Sequence, residues 1–258
     1  DILALSPDGV HLYAAGSLVN ALAVFRRDVE SSSANHGKLD FVASVQNAVG
    51  GVSGLTQPVA VAVSPDGKHV YAVGGSSIAA FARNTNSGSA NFGRLTFVAS
   101  YANRGSIVGL NDVRSIVFNA DGAHLYVLGA TAGTLVHFSR DAQSGVLSFV
   151  ERITQTELIG ATRLRLSPDG QVLYAAGTAA DAIVSFMLGA GSGTPKLLNI
   201  VRDGDPVAPG TEYPLIGGLD GVSDLLVMDA FLYASAAGDG ALSAFDASIP
   251  TDAPRYLD

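Results

Sequence analysis

The chain has 258 residues, of which 48% are hydrophobic and 15% are charged, a composition that supports a packed core and excludes an intrinsically disordered chain. Its 15 basic and 23 acidic residues give a net charge of −8, which argues against nucleic-acid binding through a basic surface. Cysteine is absent, which excludes disulfides, thiolate metal sites and cysteine nucleophiles. No apolar run approaches the ~20 residues of a membrane span, so we expect no membrane insertion.

One short motif organises the chain. The segment SPDGVHLYAAG begins at Ser6, and its copies begin at Ser64, Asn119 and Ser167, with a shortened copy from Met228. Each copy carries a tyrosine, which we call the marker tyrosine. These residues are Tyr13, Tyr71, Tyr126, Tyr174 and Tyr233. Self-similarity with a period of this size indicates repeated supersecondary units.

Each repeat predicts four short strands in the same order. An apolar run such as 59–63 precedes the Ser-Pro-Asp-Gly turn, in which Pro presets φ and Gly accepts a left-handed backbone. The marker tyrosine lies in the second strand. A Gly-rich turn leads to a third strand such as 21–25, and a polar hairpin leads to a fourth such as 38–42. Helix signals are nearly absent, so the repeats favour propeller blades.

We therefore predict an all-β fold, a β-propeller of four-stranded antiparallel blades that forms a single domain over 1–258. Five blades are visible. They lie at approximately 1–46, 58–101, 112–153, 162–201 and 222–258. Because an open arc would expose two apolar faces, we expect either a closed five-bladed monomer or an obligate assembly.

The repeat SPDGKHVYAVG…GRLTFVAS resembles the YVTN-type repeats of the lactonase-like (6-phosphogluconolactonase-like) propeller superfamily, over essentially all of 1–258. The resemblance implies a propeller, commonly with seven blades, and lactone hydrolysis as one activity of the family. The resemblance implies, for the catalytic site of that branch, a Pro-Arg-His entry into a first strand, followed after the next strand by Glu. Here Arg114 matches the arginine, Ser115 replaces the histidine, and Ala130 falls near the glutamate position.

Charged residues in first strands are the candidate ligand site. First strands line the central channel of a propeller, and Arg114, Arg163, Arg165 and Asp224 interrupt otherwise apolar runs there. A charge at such a position must face solvent or a partner group. The sequence leaves two interpretations open: an anion-tolerant pocket at the channel mouth, or a solvated channel in which Arg and Asp pair between blades.

Other polar groups are weaker candidates. If the chain is an enzyme, Arg114 would bind the carboxylate or polarise the carbonyl, and His124, Asp112 or Asp224 would supply the base. Three histidines lie two residues before marker tyrosines, and this recurrence favours a structural role. They are His11, His69 and His124. Asp203 and Asp205 form a weak calcium candidate; we expect no other metal site and no cofactor.

These observations favour a non-enzymatic binding or scaffold module, with its partner at the channel mouth and inter-blade loops. The expected partner is a protein, a glycan or a small anionic ligand. The alternative is a lactonase-like hydrolase of a sugar lactone or related anionic ester. The chain opens at Asp1 without a signal peptide, as expected of a processed or excised product, and we expect an extracellular, cell-surface or periplasmic location.

Overall fold

The computed structural model describes residues 2–207, 215–248 and 254–257. Within them, each sequence repeat forms one four-stranded antiparallel sheet whose strands are paired in chain order. The predicted all-β fold with five blades is confirmed. We number the sheets blade one to blade five. No helix in the described residues is long and apolar enough to span a membrane.

The strands follow the predicted order. Blade one contains β1 Leu3–Leu5, β2 His11–Gly16, β3 Ala21–Arg27 and β4 Leu39–Gln46; blade two contains β5 Pro58–Val63, β6 His69–Gly74, β7 Ser77–Arg83 and β8 Leu95–Ala102. Blade three contains β9 Val113–Phe118, β10 His124–Gly129, β11 Thr134–Arg140 and β12 Leu147–Thr154. Blade four contains β13 Arg163–Leu166, β14 Val172–Gly177, β15 Ala182–Leu188 and β16 Pro195–Arg202; blade five contains β17 Val222–Met228, β18 Phe231–Ala236, β19 Ala241–Asp246 and β20 Arg255–Tyr256. The described helical segments are the 3-10 turns Thr156–Leu158 and Thr178–Ala180.

The turn between the first and second strands explains why Ser-Pro-Asp-Gly repeats. In blade one the Ser6 hydroxyl donates to Asp8 at 2.5 Å and accepts from the His11 amide at 2.9 Å. Gly9 adopts φ +72°, which a residue with a side chain rarely accepts. Ser64 makes the same two contacts in blade two. The motif therefore closes the first hairpin and fixes its register.

A β-bulge recurs where the third strand meets the fourth. In blade one the register shifts between Val24 and Phe25, and corresponding shifts occur beside Phe81 and Phe186. An extra residue on the fourth strand bends it and increases its twist. Phe25 thereby lies opposite Phe41, their ring centroids 5.9 Å apart in an edge-to-face arrangement.

The chain divides into two compact units. The first unit comprises Asp1–Leu125 and Phe138–Val150, and the second comprises Tyr126–His137 and Glu151–Asp258. In the first unit a buried cluster joins blades one and two. Its largest members are Tyr13, Leu22, Leu55 and Phe81. In the second unit a similar cluster joins blades four and five. Its larger members include Tyr174, Ile183, Leu232 and Phe245. The single-domain assignment stays a prediction.

Candidate functional site

Three of the four candidate ligand residues meet in the second unit. Arg163 and Arg165 lie on the first strand of blade four, and Asp224 lies on the first strand of blade five. Asp224 Oδ1 is 3.3 Å from Arg163 Nε and 3.2 Å from Arg165 Nη2. Arg165 Nε also donates to the Leu225 carbonyl at 2.9 Å. The Arg–Asp pairing between blades that the sequence offered as one interpretation is therefore present.

This group, which we call the Arg–Asp cluster, is accessible to solvent. The side chains of Arg163, Arg165 and Asp224 are 30%, 25% and 49% exposed. Two guanidinium groups lie beside the same carboxylate oxygen. Guanidinium presents a planar fork of donors that matches carboxylates and phosphates. This donor chemistry keeps the cluster the candidate site for an anionic ligand.

The fourth candidate, Arg114, belongs to the first unit and forms a separate pair. Its Nη2 donates to Asp112 Oδ2 at 2.8 Å, and both side chains are more than two-fifths exposed. Asp112 has φ +53° directly before the strand that carries Arg114. An exposed pair of this kind contributes little stability. Arg114 is thus held at the surface by its own loop.

The third suggested catalytic group is remote from this pair. His124 begins β10, just after the turn that ends β9, whereas Arg114 lies near the start of β9. Arg114 is four residues of extended strand, or about 13 Å, from the end of β9 beside which His124 lies. Asp112 therefore lies beside Arg114, whereas His124 lies at the far end of the hairpin.

The recurring histidines of blades one and two have structural roles, as predicted. Arg83 of blade two donates to His11 Nδ1 at 3.0 Å, and Arg140 of blade three donates to His69 Nδ1 at 2.9 Å. His11 and His69 are buried. Each histidine is thus engaged by an arginine from the next blade.

A carboxylate completes each of these contacts. Arg83 Nη2 lies 2.6 Å from Asp8, and its Nη1 donates to the Gly67 carbonyl at 3.1 Å. Arg140 repeats the arrangement with Asp66 at 2.8 Å and the Gly122 carbonyl at 2.7 Å. We call this unit, an arginine held by the Asp and His of the preceding blade, the arginine clamp. It joins blade one to blade two and blade two to blade three.

The clamp changes the ionisation of its members. Burial tends to raise the pKa of Asp8, but hydrogen bonds from Ser6 and Arg83 outweigh it and lower the pKa to about 2. Burial, reinforced by the Arg83 charge, lowers the pKa of His11. Because guanidinium only donates, His11 Nδ1 must be the acceptor, which requires a neutral ring. Asp66 and His69 behave alike.

Sequence reasoning missed the clamp arginines and one carboxylate. Arg83 and Arg140 each lie two residues after the phenylalanine that recurs in the third strand of the repeat. Arg27 occupies the same position in blade one. Comparison of the repeats at that position was the available signal. Glu151 was also missed; its Oε1 lies 3.2 Å from Nδ1 of the buried His137.

The second unit has a cavity where the first unit has a clamp. Ala247 follows Phe245 by two residues, as Arg83 follows Phe81, and donates the equivalent backbone hydrogen bond, to the Ala230 carbonyl at 2.7 Å. A cavity of about 160 Å³ lies beside it, and its polar lining includes Asp169. The small side chain leaves the space open.

Within the described residues, the calcium candidates Asp203 and Asp205 are not grouped with a third metal-binding side chain. Asp203 Oδ1 accepts from the Leu219 amide at 3.0 Å, and Asp205 Oδ2 accepts from the Arg202 amide at 2.8 Å. Across the part of the chain that the structure describes, no three His, Cys, Asp or Glu side chains are grouped to hold a metal. The carboxylates instead bind backbone amides of their own loop, much of which, at 208–214, lies outside the described residues.

Comparison with known proteins identifies the repeat. Residues 3–159 match the family model for "Lactonase, 7-bladed beta-propeller". No curated protein matches the sequence.

Solved structures share the fold at low sequence identity. A protein from Lactobacillus plantarum superposes with a TM-score of 0.75 at 16% identity, covering 99% of this chain and 69% of the other. The periplasmic gluconolactonase PpgL of Pseudomonas aeruginosa gives 0.73 at 20% identity, covering 99% and 68%. Sqt1 of Chaetomium thermophilum, bound to the N-terminus of ribosomal protein L10, gives 0.64 at 18% identity, covering 96% and 59%.

Proposed function

The chain belongs to the lactonase family of seven-bladed β-propellers, and from this premise we propose that it acts as a binding module for a carboxylate-bearing ligand or acidic partner segment. The binding site is the Arg–Asp cluster. The observation that carries the proposal is the sharing of one carboxylate by Arg163 and Arg165 at a solvent-accessible position. A carboxylate is the proposed ligand because a guanidinium group presents a planar fork of donors that matches it.

The arrangement of possible bases favours binding over hydrolysis. Opening of a lactone needs an acid or base within hydrogen-bond reach of the reacting oxygen. Asp224 Oδ1 already accepts from Arg165, and lies beside Arg163 as well. This carboxylate is therefore engaged in the contact between blades four and five.

A protein partner is consistent with the fold, because Sqt1 is a propeller-like neighbour that binds the N-terminus of a ribosomal protein. A glycan or small sugar acid is the other class that we propose to test. We also propose an extracytoplasmic location, and the Pseudomonas aeruginosa gluconolactonase of similar fold is described as periplasmic.

A lactonase-like hydrolase is the second candidate, and family membership is the observation that favours it. In this case Arg114 would bind the carbonyl or carboxylate of a sugar lactone. Asp112, 2.8 Å from Arg114, would be the nearest base.

Isothermal titration tests the first candidate. The probes are gluconate and a hexaglutamate peptide, titrated at low salt into the wild-type chain, Arg163→Gln and Arg165→Gln. The matched control is Arg152→Gln, which removes the same charge from an exposed position in the same unit. We expect at least a tenfold loss of affinity in the two cluster variants and none in the control. Equal losses in all three variants would show non-specific charge attraction and would reject the site.

A hydrolysis assay separates the two candidates. Glucono-δ-lactone and a panel of chromogenic esters are followed in a pH-stat with the wild-type chain, Arg114→Gln and the exposed-site control Arg104→Gln. We expect no turnover above buffer. Turnover that Arg114→Gln abolishes and Arg104→Gln keeps would establish the hydrolase instead.

A further inference from the structure

The cavity beside Ala247 lies between blades four and five, and residues of both blades line it. Its volume of about 160 Å³ is well above the ~15 Å³ that one water molecule needs. Asp169 of blade four and Asp229 of blade five both line it and are exposed, so the cavity opens to solvent. A small ligand can therefore enter from outside the chain.

Two equivalent interfaces hold a guanidinium group at this place. Arg83 Nη2 lies 2.6 Å from Asp8 Oδ2, and Arg140 Nη2 lies 2.8 Å from Asp66 Oδ2. Each arginine also donates to the carbonyl of the turn glycine of its own blade, which for Arg83 is Gly67. These interfaces show which groups of the fold bind a guanidinium: a carboxylate of the preceding blade and a turn carbonyl.

Blade five has the same backbone arrangement with different side chains. The amide of Ala247 donates to the Ala230 carbonyl at 2.7 Å, the bond that corresponds to the one made by the Arg83 amide in blade two. Asp229 therefore stands at the position of the turn glycine, and its φ of +54° lies in the same left-handed region as the +70° of Gly67. Alanine thus replaces the clamp arginine, and aspartate replaces the turn glycine.

Asp229 adds a second carboxylate near the place that the guanidinium occupies in blade two. A Cβ built on Gly67 would lie 3.3 Å from Arg83 Nη1. Asp229 carries a Cβ at this position, and its carboxylate is attached to that atom. Among the described residues that line the cavity, Asp169 and Asp229 are acidic and none is basic. The cavity therefore has the acceptors of a guanidinium site without a guanidinium from the chain.

The remaining groups at the cavity also suit a guanidinium. Asp169 Oδ2 accepts from Gln171 Nε2 at 3.1 Å, and a carboxylate oxygen can accept a second donor. Val172 replaces the histidine of blades one and two and is buried. Because guanidinium is more weakly hydrated than ammonium, it tolerates this apolar neighbour better.

We propose that this cavity binds the guanidinium group of a ligand, either a free small molecule or an arginine side chain of a partner peptide. The ligand takes the place of the clamp arginine, with Asp169 and Asp229 as its carboxylate partners. A planar fork of donors matches carboxylate oxygens in a way that a point charge does not. Among the described residues, the cavity and the Arg–Asp cluster share none, so the two sites can be tested separately.

Alanine-methyl NMR of the full chain tests binding directly, because Ala230 and Ala247 both line the cavity. The small probes are propylguanidinium, its neutral isostere propylurea, and propylammonium. The peptide acetyl-Gly-Arg-Gly-amide represents an arginine of a partner. We expect both guanidinium probes to shift the two methyl signals and to bind about tenfold more tightly than propylurea or propylammonium, the effect of one charge-assisted hydrogen bond. Tighter binding of the peptide identifies a partner segment, and equal or weaker binding of the peptide identifies a free small molecule.

Ala247→Arg is the decisive variant, because it places a guanidinium of the chain in the cavity. It should abolish binding of both guanidinium probes, with the Ala230 methyl as the reporter and the urea midpoint as the check on folding. Asp169→Asn and Asp229→Asn should each weaken binding about tenfold. The matched control is Asp121→Asn, which changes the same turn position in blade three and should leave binding unchanged.

Three results would overturn the guanidinium site. The first is an affinity for propylguanidinium that Ala247→Arg leaves unchanged, or that Asp121→Asn lowers as much as Asp169→Asn does. The second is equal affinity for propylammonium, which would show a general cation site. The third is a set of alanine signals that no probe shifts, which would reject a ligand in the cavity altogether.

Discussion

The arginine clamp predicts that its two charged partners differ in their contribution to stability. Arg83 is 2% exposed, whereas Asp8 is 41% exposed. When a buried ion pair loses one partner, most of the cost comes from the charge left without compensation. Asp8→Ala leaves the buried guanidinium with two uncharged acceptors, Gly67 and His11. Arg83→Leu leaves a carboxylate that water can reach.

We expect Asp8→Ala to lower the free energy of unfolding by about 3 kcal/mol, the lower end of values for a broken buried pair. Arg83→Leu should cost about 1.5 kcal/mol, because the carboxylate that remains is partly solvated and leucine returns apolar packing. Leu188 occupies the equivalent position of blade four and is buried, so leucine fits there. Urea unfolding at pH 7.5, followed by tyrosine fluorescence, measures both values.

Asp8 also accepts hydrogen bonds within its own turn, and Asp8→Ala removes these as well as the clamp contact. Asp169→Ala is the control for the loss of the turn hydrogen bonds. Asp169 accepts from Ser167 and from the Gln171 amide as Asp8 accepts from its neighbours, but Ala247 stands at the clamp position. The difference between the two alanine variants therefore isolates the clamp. The reasoning is refuted if Asp169→Ala is as destabilising as Asp8→Ala, or if Arg83→Leu is the most destabilising variant.

Three other predictions concern stability. Ala247→Arg should raise the free energy of unfolding by about 1 kcal/mol, because a guanidinium would fill the adjacent cavity and reach Asp169. Stability should fall as the pH drops below about 6.5, since burial lowers the folded-state pKa of His11 and His69 and the unfolded chain takes up the protons first. Asp220→Asn should stabilise the chain at neutral pH, because neighbouring carboxylates, Asp181 first, raise the pKa of Asp220.

Each of these has its own control. Ala247→Leu fills the cavity without a charge, so equal gains from leucine and arginine would contradict a new ion pair. Urea midpoints between pH 7.5 and 5 test the histidine prediction; a curve that stays unchanged in His11→Asn and His69→Asn would contradict it. The gain from Asp220→Asn should shrink at 1 M salt, where exposed charges are screened, and a gain independent of salt would reject repulsion as its cause.

The sheets could be predicted because their signal is local. The Ser-Pro-Asp-Gly turn and marker tyrosine lie within a few residues of one another, and the Ser6 and Asp8 side chains close the hairpin in which they lie. The clamp joins groups 75 residues apart in sequence, Asp8 and Arg83. The sequence of a single repeat does not show that its arginine contacts the Asp and His of the preceding repeat.

The candidate site was predicted only in part for a related reason. Arg163, Arg165 and Asp224 were found because charges in apolar strands are conspicuous, and their pairing was one of two open interpretations. His124 was one of three residues suggested as the base for a site at Arg114. The hairpin that joins them, however, places Arg114 and His124 at opposite ends of neighbouring strands.

The recurring β-bulge has a consequence for how copies of such a sheet can meet. The fourth strand is the outer edge of each blade, and an outer edge with unpaired amides and carbonyls can template a strand from another molecule. The bulges beside Phe25, Phe81 and Phe186 interrupt the regular spacing of those groups and twist the edge. Strand-to-strand growth into fibrils is thereby disfavoured at the rim, while face-to-face stacking of whole sheets is unaffected.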